Sequence, residues 1–228
     1  MRIPRLPAVA ALLLSAGVAL AHPATARPAT AFEPGPTANQ YADALLHSVP
    51  VYAATHDLKS PRPAPGFTNH FTHKAKIIGQ VKGQFDYTNC QVGGTTQLSR
   101  EGNASVSGQP GTKRLTFALR YPGTFNCDGT LKYGKLPEDK FKLKCDRPSR
   151  AQVTIDGSSS KPSTAHTIPA GPAKCTFTDQ SEFLRLFPKQ LFIENAEETA
   201  AEAINKTFTN ITGRALADAA ARTPWPFG

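Results

Sequence analysis

The sequence predicts an α+β domain in which a strand-rich middle lies between a short N-terminal helix and a long C-terminal helix. Near residues 41–49 and again over 193–219, apolar residues recur every three or four positions, which is the spacing of an amphipathic helix. Between about residues 75 and 177 they alternate with polar residues, which is the spacing of half-buried strands. With 228 residues, of which 39% are hydrophobic, the chain is long and apolar enough for one such domain.

The N-terminus is typical of an export signal. Arg2 and Arg5 precede an apolar stretch, and Ala19-Leu20-Ala21 supplies a small-x-small cleavage site, with Ala24-Thr25-Ala26 as a second possible site. We therefore expect a secreted, extracellular protein. Its predicted segments are a signal peptide over 1–21, a mobile leader over 22–36, the domain over 37–222 and a C-terminal tail over 223–228.

The first helix is predicted from its cap. Thr37 and Gln40 fit a capping box, with a hydroxyl at the N-cap and an amide three residues on. Pro50 either kinks this helix or starts a second one. The helical spacing is carried by Tyr41, Leu45 and Val49.

The middle of the chain predicts an antiparallel meander with one buried face and one solvated face. Its clearest strand covers residues 114–121, and further strands are predicted over 77–87 and 151–155. Residues 158–170 are predicted to form a polar loop. Apolar residues of the clearest strand fall at alternate positions, namely Leu115, Phe117, Leu119 and Tyr121.

The four cysteines are expected to form disulfides. An exported chain with an even number of cysteines and no C-x-x-C pair favours structural disulfides over metal or redox chemistry. A hairpin centred on Leu136 places Cys127 opposite Cys145, which leaves Cys90 to pair with Cys175. The sequence favours this pairing among the three that four cysteines allow, and leaves the other two open.

The C-terminal segment predicts a short capped helix over 182–187 and then a long amphipathic one. The apolar stripe of the long helix lies within about 160° of arc and is rich in alanine, which permits close packing against a concave sheet. Its members are Ile193, Ala196, Ala200, Ile204, Phe208, Ile211, Ala215 and Ala219.

This layout resembles a known superfamily. Residues 78–94, with the sequence IGQVKGQFDYTNCQVGG, resemble the opening strands of the group 7 mite allergens, and residues 102–106 resemble the next hairpin of that family. Residues 115–133 followed by the terminal helix resemble the insect juvenile-hormone-binding and takeout proteins. These families belong to the tubular lipid-binding superfamily, in which a strongly curved sheet wraps a long helix and encloses an apolar cavity. The cysteine set departs from both families, so no disulfide pattern follows from the resemblance.

The resemblance implies a carrier or scavenger that binds a small hydrophobic or amphipathic lipidic ligand, without catalysis and without a cofactor. Each buried methylene of such a ligand contributes about 0.8 kcal/mol. Ordinary core packing is the alternative role for every predicted lining residue. Those residues are Phe117, Leu119, Phe125, Phe141, Leu143, Ile204, Phe208 and Ile211.

A competing function is predicted from one basic strand. Lys140, Lys142 and Lys144 share a strand face and are expected to bind anionic lipid, lipopolysaccharide or a sulfated glycan. The alternative is that these lysines lie at an edge of the sheet, where they discourage edge-to-edge aggregation.

Other functional classes are weakly supported by the sequence. The net charge of +9 is spread thinly, and no run of about 18 apolar residues occurs, so neither nucleic-acid binding nor a transmembrane segment is predicted. His70 and His73 lack a third ligand at recognisable spacing, so no metal site is predicted. Three sequons are predicted glycosylation sites, at Asn103, Asn205 and Asn210.

Overall fold

The computed structural model describes residues 37–55, 60–75, 79–157, 161–168, 171–185 and 190–227. The predicted signal peptide and leader lie outside the described residues, so both stay predictions. In chain order the elements are α1 (Ala38–Thr55), β1 (Arg62–Pro63), β2 (Phe67–Ala75), β3 (Gly79–Gly93), β4 (Ser99–Ser107), β5 (Arg114–Tyr133), β6 (Asp139–Asp156), β7 (Lys161–Ile168), β8 (Lys174–Thr178), α2 (Glu182–Arg185), α3 (Gln190–Thr207), a π-turn (Phe208–Thr212) and α4 (Gly213–Arg222).

One antiparallel sheet is built on the long hairpin of β5 and β6. The strand order is β1-β3-β5-β6-β7, with β2 on β3, β4 on β5 and β8 on β6. The outer strands divide into two wings. In the first wing β3 and β8 flank the turn end of the hairpin, and in the second wing β4 and β7 flank its open end.

The two wings of the curved sheet meet at Pro122 of β5 and Pro148 of β6, which lie opposite each other. We call this junction of the wings the bend. Proline cannot donate a ladder hydrogen bond, so neighbouring strands part readily at such a point. β4 pairs with β5 only as far as Arg120, and β3 takes over at Thr124. The sheet as a whole is curved and unclosed, and the predicted fold class is confirmed.

The concave face of the sheet is continuous across the bend. In both β5 and β6 nearly every second residue is buried, and the alternation keeps its phase through the prolines. A single inward face, about twenty residues long in β5, therefore serves both wings.

The helices cover this concave face. α3 packs against β3, β5 and β8 of the first wing, while α4 packs against α1 and β7 of the second. The predicted long helix is thus confirmed in extent, but the π-turn at Phe208–Thr212 interrupts it. Thr212 anchors the π-turn, because its buried hydroxyl donates to the Thr95 carbonyl oxygen at 2.9 Å.

α1 begins with the predicted capping box. The backbone N–H of Gln40 donates to the Thr37 hydroxyl at 3.2 Å, and the backbone N–H of Thr37 donates to the Gln40 side-chain oxygen at 2.8 Å. Pro50 lies inside the helix, which continues to Thr55.

One prediction of loop structure is wrong. Residues 161–168 form β7 rather than a polar loop. A further strand that was not predicted, β2, begins at Phe67 and contains His70 and His73. Both are outer strands of the sheet, β2 against β3 and β7 against β6. Their sequences lack the apolar alternation from which the other strands were predicted.

The disulfide pairing predicted from the hairpin is also wrong. The hairpin pairs Leu131 with Asp139, so Cys127 lies opposite Leu143 rather than Cys145. The disulfides are Cys90–Cys127 and Cys145–Cys175, with Cα atoms 4.1 and 4.0 Å apart. The hairpin is centred on residue 135, one residue earlier than predicted. Cys127 and Cys145 are therefore not opposite each other.

A β-bulge explains the first disulfide. Between the Thr88–Asp128 and Gln91–Asn126 pairs, two residues of β3 oppose one residue of β5. Asn89 takes a positive φ of 51° in this bulge. Cys90 is thereby brought opposite Cys127.

The predicted C-terminal tail packs on the domain. The rings of Trp225 and Phe227 meet the ring of Tyr41 edge-on, with centroids 5.8 and 5.6 Å away. The Tyr41 hydroxyl donates to the Thr223 carbonyl oxygen at 3.2 Å. Residues 223–227 therefore close one side of α1.

Candidate functional site

The predicted lining residues all lie in the interior between the sheet and the helices. Phe125, Phe141 and Leu143 belong to the first wing, and Phe117 and Leu119 belong to the second. The remaining three, Ile204, Phe208 and Ile211, come from the end of α3 and the π-turn, and all eight are buried.

Aromatic rings fill the interior of the first wing. The ring of Phe192 on α3 lies 4.4 Å from that of Phe85 and 4.9 Å from that of Phe177, measured between centroids. Phe141 meets Phe177 edge-on at 5.1 Å. A ligand in this wing therefore has to displace rings or move α3 outward.

Phe192 is a residue that the predicted stripe missed. It is buried, whereas its neighbour Ile193, which the stripe included, is only half-buried. Extending the four-residue spacing of Ala196, Ala200 and Ile204 backwards by one step reaches Phe192. The signal was therefore present in the sequence.

Two tyrosine hydroxyls are buried in this apolar wall. Tyr87 is 1% exposed and Tyr121 is 2% exposed, and neither hydroxyl makes a hydrogen bond of ordinary geometry within the described part of the chain. Burial raises the pKa of the Tyr87 phenol well above its usual range. Burial also raises the pKa of Tyr121, although Ser149 and the Arg147 guanidinium nearby partly offset the rise. Both phenols therefore stay neutral donors at any physiological pH.

Arg147 ties the bend of the hairpin to α3. The side chain is on the inner face and is 6% exposed. Its guanidinium donates to the Gly171 carbonyl oxygen at 3.0 Å, to the Ala201 carbonyl oxygen at 3.2 Å and to the Asn205 side-chain oxygen at 2.6 Å. The middle of the helix is held to the narrowest part of the sheet by these bonds.

The basic strand lies on the outer, solvated face of β6, as predicted. Lys140, Lys142 and Lys144 are exposed, but two of them have acidic neighbours. The ammonium of Lys142 lies 3.0 Å from the Asp179 carboxylate, which raises the pKa of this lysine, and that of Lys144 lies 3.8 Å from Asp146. These acids reduce the positive potential of the face, and the binding of polyanions there stays a prediction.

The sequons differ in their surroundings. Asn103 and Asn210 are exposed, whereas Asn205 is half-buried and accepts the hydrogen bond from Arg147. Within the described residues, no three His, Cys, Asp or Glu side chains are gathered as a metal site. No described helix is long and apolar enough to cross a membrane.

Comparison with known proteins gives distant likenesses of fold. No protein-family model matches the chain, and no curated protein sequence matches it. The crystal structure of a lipopolysaccharide-binding protein is similar over 80% of this chain and 41% of that chain, with a TM-score of 0.40 and 17% identity. The crystal structure of Takeout 1 from Epiphyas postvittana is similar over 79% of this chain and 90% of that chain, with a TM-score of 0.35 and 12% identity. This chain thus spans about two fifths of the first structure. Neither structure is a group 7 mite allergen, so that resemblance stays a prediction.

Proposed function

We propose that the protein is a secreted carrier that binds an apolar or amphipathic ligand between the concave face of the sheet and the C-terminal helix, without catalysis. The two disulfides support an extracellular site of action, because such bonds persist in oxidising compartments. The eight predicted lining residues are the proposed contacts of the apolar part of the ligand.

The single observation that carries the proposal is the Tyr87 hydroxyl, which is buried in an apolar wall and has no hydrogen-bond partner within the described residues. A buried hydroxyl without a hydrogen-bond partner costs about 1–3 kcal/mol. An ester, ether or hydroxyl oxygen of a lipidic ligand would accept from Tyr87 and remove that cost. A purely structural core would gain more from phenylalanine at this position.

The alanine stripe sets how closely α3 lies against the sheet. Ala196 and Ala200 are fully buried and let the backbone of α3 approach the sheet closely. An outward shift of α3 loses little contact at these alanines, but it withdraws Phe192 from the rings of Phe85 and Phe177. Ten methylenes placed in the space so opened would contribute roughly 8 kcal/mol before ordering costs.

Native mass spectrometry tests this proposal. For the experiment, the chain is expressed in cells that export it and form its disulfides. The mass of the native protein is then compared with the mass of the denatured, solvent-extracted protein. We expect a mass difference that corresponds to a lipidic molecule, which is then found in the extract. After delipidation, the protein should take up the methyl ester of a pyrene-labelled fatty acid. A protein that carries no extractable molecule and takes up no ester would refute the carrier function.

A further inference from the structure

A groove with cationic walls opens on the outside of the π-turn. It lies between residues 62–65 and the helical segment from α3 to α4, with a volume of about 420 Å³. Pro63, Ala64 and Ala203 give it apolar surface. We call it the cationic groove, because its charged lining residues are Arg62, Lys206 and Arg214.

None of these three cations is neutralised by the described part of the chain. Each side chain is exposed and forms no ion pair or hydrogen bond within the described residues, and no carboxylate lines the groove. Elsewhere the surface cations Lys132, Lys142 and Arg150 each pair with an acid. Three like charges around one groove repel each other, so an anion bound among them relieves an unfavourable arrangement.

The cationic groove adjoins the buried stripe at one residue. Ile211 lines the groove and is 8% exposed, so the same side chain belongs to the groove and to the buried stripe. Three residues earlier, Phe208 is fully buried and stacks on Tyr121. Both Ile211 and Phe208 belong to the π-turn. Single π-helical turns of this kind inside α-helices (π-bulges) occur frequently at functional sites.

We propose that the cationic groove binds the anionic headgroup, a carboxylate or a phosphate, of an amphiphile whose tail passes Ile211 into the interior. This inference rests on the proposed carrier function and specifies its ligand class. The groove suits one headgroup rather than a long polyanion or a membrane surface, because it is a small concavity that combines charge with apolar walls. Arginine and lysine are the residues that bind carboxylate and phosphate oxygens most strongly.

The test compares an anionic probe with a neutral one. The probes are a pyrene-labelled fatty acid and its methyl ester, and the protein is made in a bacterial periplasm, which forms disulfides and adds no glycan to Asn210. The triple variant Arg62→Gln/Lys206→Gln/Arg214→Gln is compared with the matched control Lys74→Gln/Lys82→Gln/Lys174→Gln. The control removes the same charge from exposed positions on β2, β3 and β8. Circular dichroism and thermal melting verify that both variants are folded.

We expect the groove variant to bind the fatty acid about tenfold more weakly or worse, and the ester within about twofold of wild type. The control variant should bind both probes like wild type. Equal affinity of the groove variant and wild type for the acid, with the ester still bound, would overturn the groove assignment alone. Failure of wild type to bind either probe would instead overturn the carrier function.

A third arm addresses other anionic partners. Wild type and the groove variant are sedimented with phosphatidylglycerol vesicles and passed over a heparin column. Loss of vesicle or heparin binding in the groove variant, with unchanged binding of the monomeric fatty acid, would overturn the headgroup site in favour of a surface contact. Loss of fatty-acid binding in the groove variant, with vesicle and heparin binding unchanged, supports the headgroup site.

Discussion

The ring of Tyr121 lies parallel to the ring of Phe208, with centroids 4.3 Å apart and planes 3° apart. Tyr121 precedes the proline bend of β5, and Phe208 begins the π-turn of the long helix. This stacked pair therefore joins the junction of the two wings of the sheet to the π-helical interruption of the long helix. The proposed ligand path passes beside it, from Ile211 to the interior.

Truncation of Phe208 should destabilise the fold strongly. Phe208→Ala removes a fully buried ring from the joint between sheet and helix, and such changes cost about 3–5 kcal/mol. The free energy of unfolding is measured by urea denaturation. Val51→Ala is the matched control, because Val51 is 63% exposed on α1, and a surface change of this kind stays within about 0.5 kcal/mol. A loss below about 1 kcal/mol for Phe208→Ala would contradict the packing described.

Removing the Tyr87 hydroxyl should leave stability unchanged or raise it. Tyr87→Phe deletes a buried hydroxyl that has no partner within the described residues, so no hydrogen bond is lost and a desolvation cost of about 1 kcal/mol disappears. Tyr41→Phe is the comparison, because the Tyr41 hydroxyl donates to Thr223, and its loss should cost about 1 kcal/mol. Thermal melting of the ligand-free protein measures the change in stability for both variants. Equal destabilisation by the two changes would mean that Tyr87 has a structural partner.

Loss of Arg147 should loosen the helix from the bend. Arg147→Met removes a buried guanidinium with three hydrogen bonds to Gly171, Ala201 and Asn205, and we expect a loss of about 2–4 kcal/mol. Arg150→Met, three residues along the same strand, removes only an exposed partner of Glu101 and should cost less than about 1 kcal/mol. Hydrogen exchange should then show faster opening of α3 in the first variant and not in the second. Similar exchange in both variants would argue against this tie.

The contact between α1 and β4 should weaken in acid. The Arg100 guanidinium hydrogen-bonds Asp43 at 2.8 and 2.9 Å and holds the pKa of that carboxyl below its usual range. A carboxyl whose pKa is lower in the folded state contributes stability that is fully present above its unfolded pKa of about 4. That contribution is lost as the pH falls through the lower folded value. Below about pH 4, the urea concentration at the midpoint of unfolding should therefore decrease as the pH is lowered. The decrease should be less steep in Asp43→Asn than in wild type. Equal pH slopes for the two proteins would show that this pair does not contribute.

Peptide mapping should find the disulfides that the register requires. A digest under non-reducing conditions is expected to contain crosslinked peptides for Cys90–Cys127 and Cys145–Cys175. A Cys127–Cys145 crosslink would mean that the pairing of β5 with β6 is shifted by two residues from the described register. The same digest of protein from a eukaryotic secretory pathway should show Asn205 without a glycan, because its half-buried side chain, held by Arg147 against the sheet, leaves no room for a bulky sugar in the folded protein.

The order and type of the main elements could be predicted from the sequence, because one face of each is buried against a single core. The alternation over Leu115–Tyr121 and the stripe from Ala196 to Ala219 both reflect that burial directly. The outer strands β2 and β7 were missed, since their sequences lack that alternation. The disulfide pairing failed because it depends on a hairpin centre that spacing fixes only to within a residue, and on a bulge at Asn89.

The candidate site was predicted unevenly for a similar reason. Burial at Phe117, Phe208 and their neighbours follows from periodicity, so the inner face was found. The cationic groove was not, because Arg62 is distant in sequence from Lys206 and Arg214 and only the fold brings the three together. No local pattern marks such a site.

Photo-crosslinking tests the central claim most directly. A fatty acid with a diazirine in its alkyl chain is bound to the disulfide-intact protein and irradiated, and the labelled peptides are identified by mass spectrometry. Labels on inner-face residues of β5 and β6 and on the π-turn, such as Phe117, Leu143 and Ile211, are the predicted result. Labels confined to the outer face of the sheet, or none above the level of a denatured control, would contradict binding between sheet and helix.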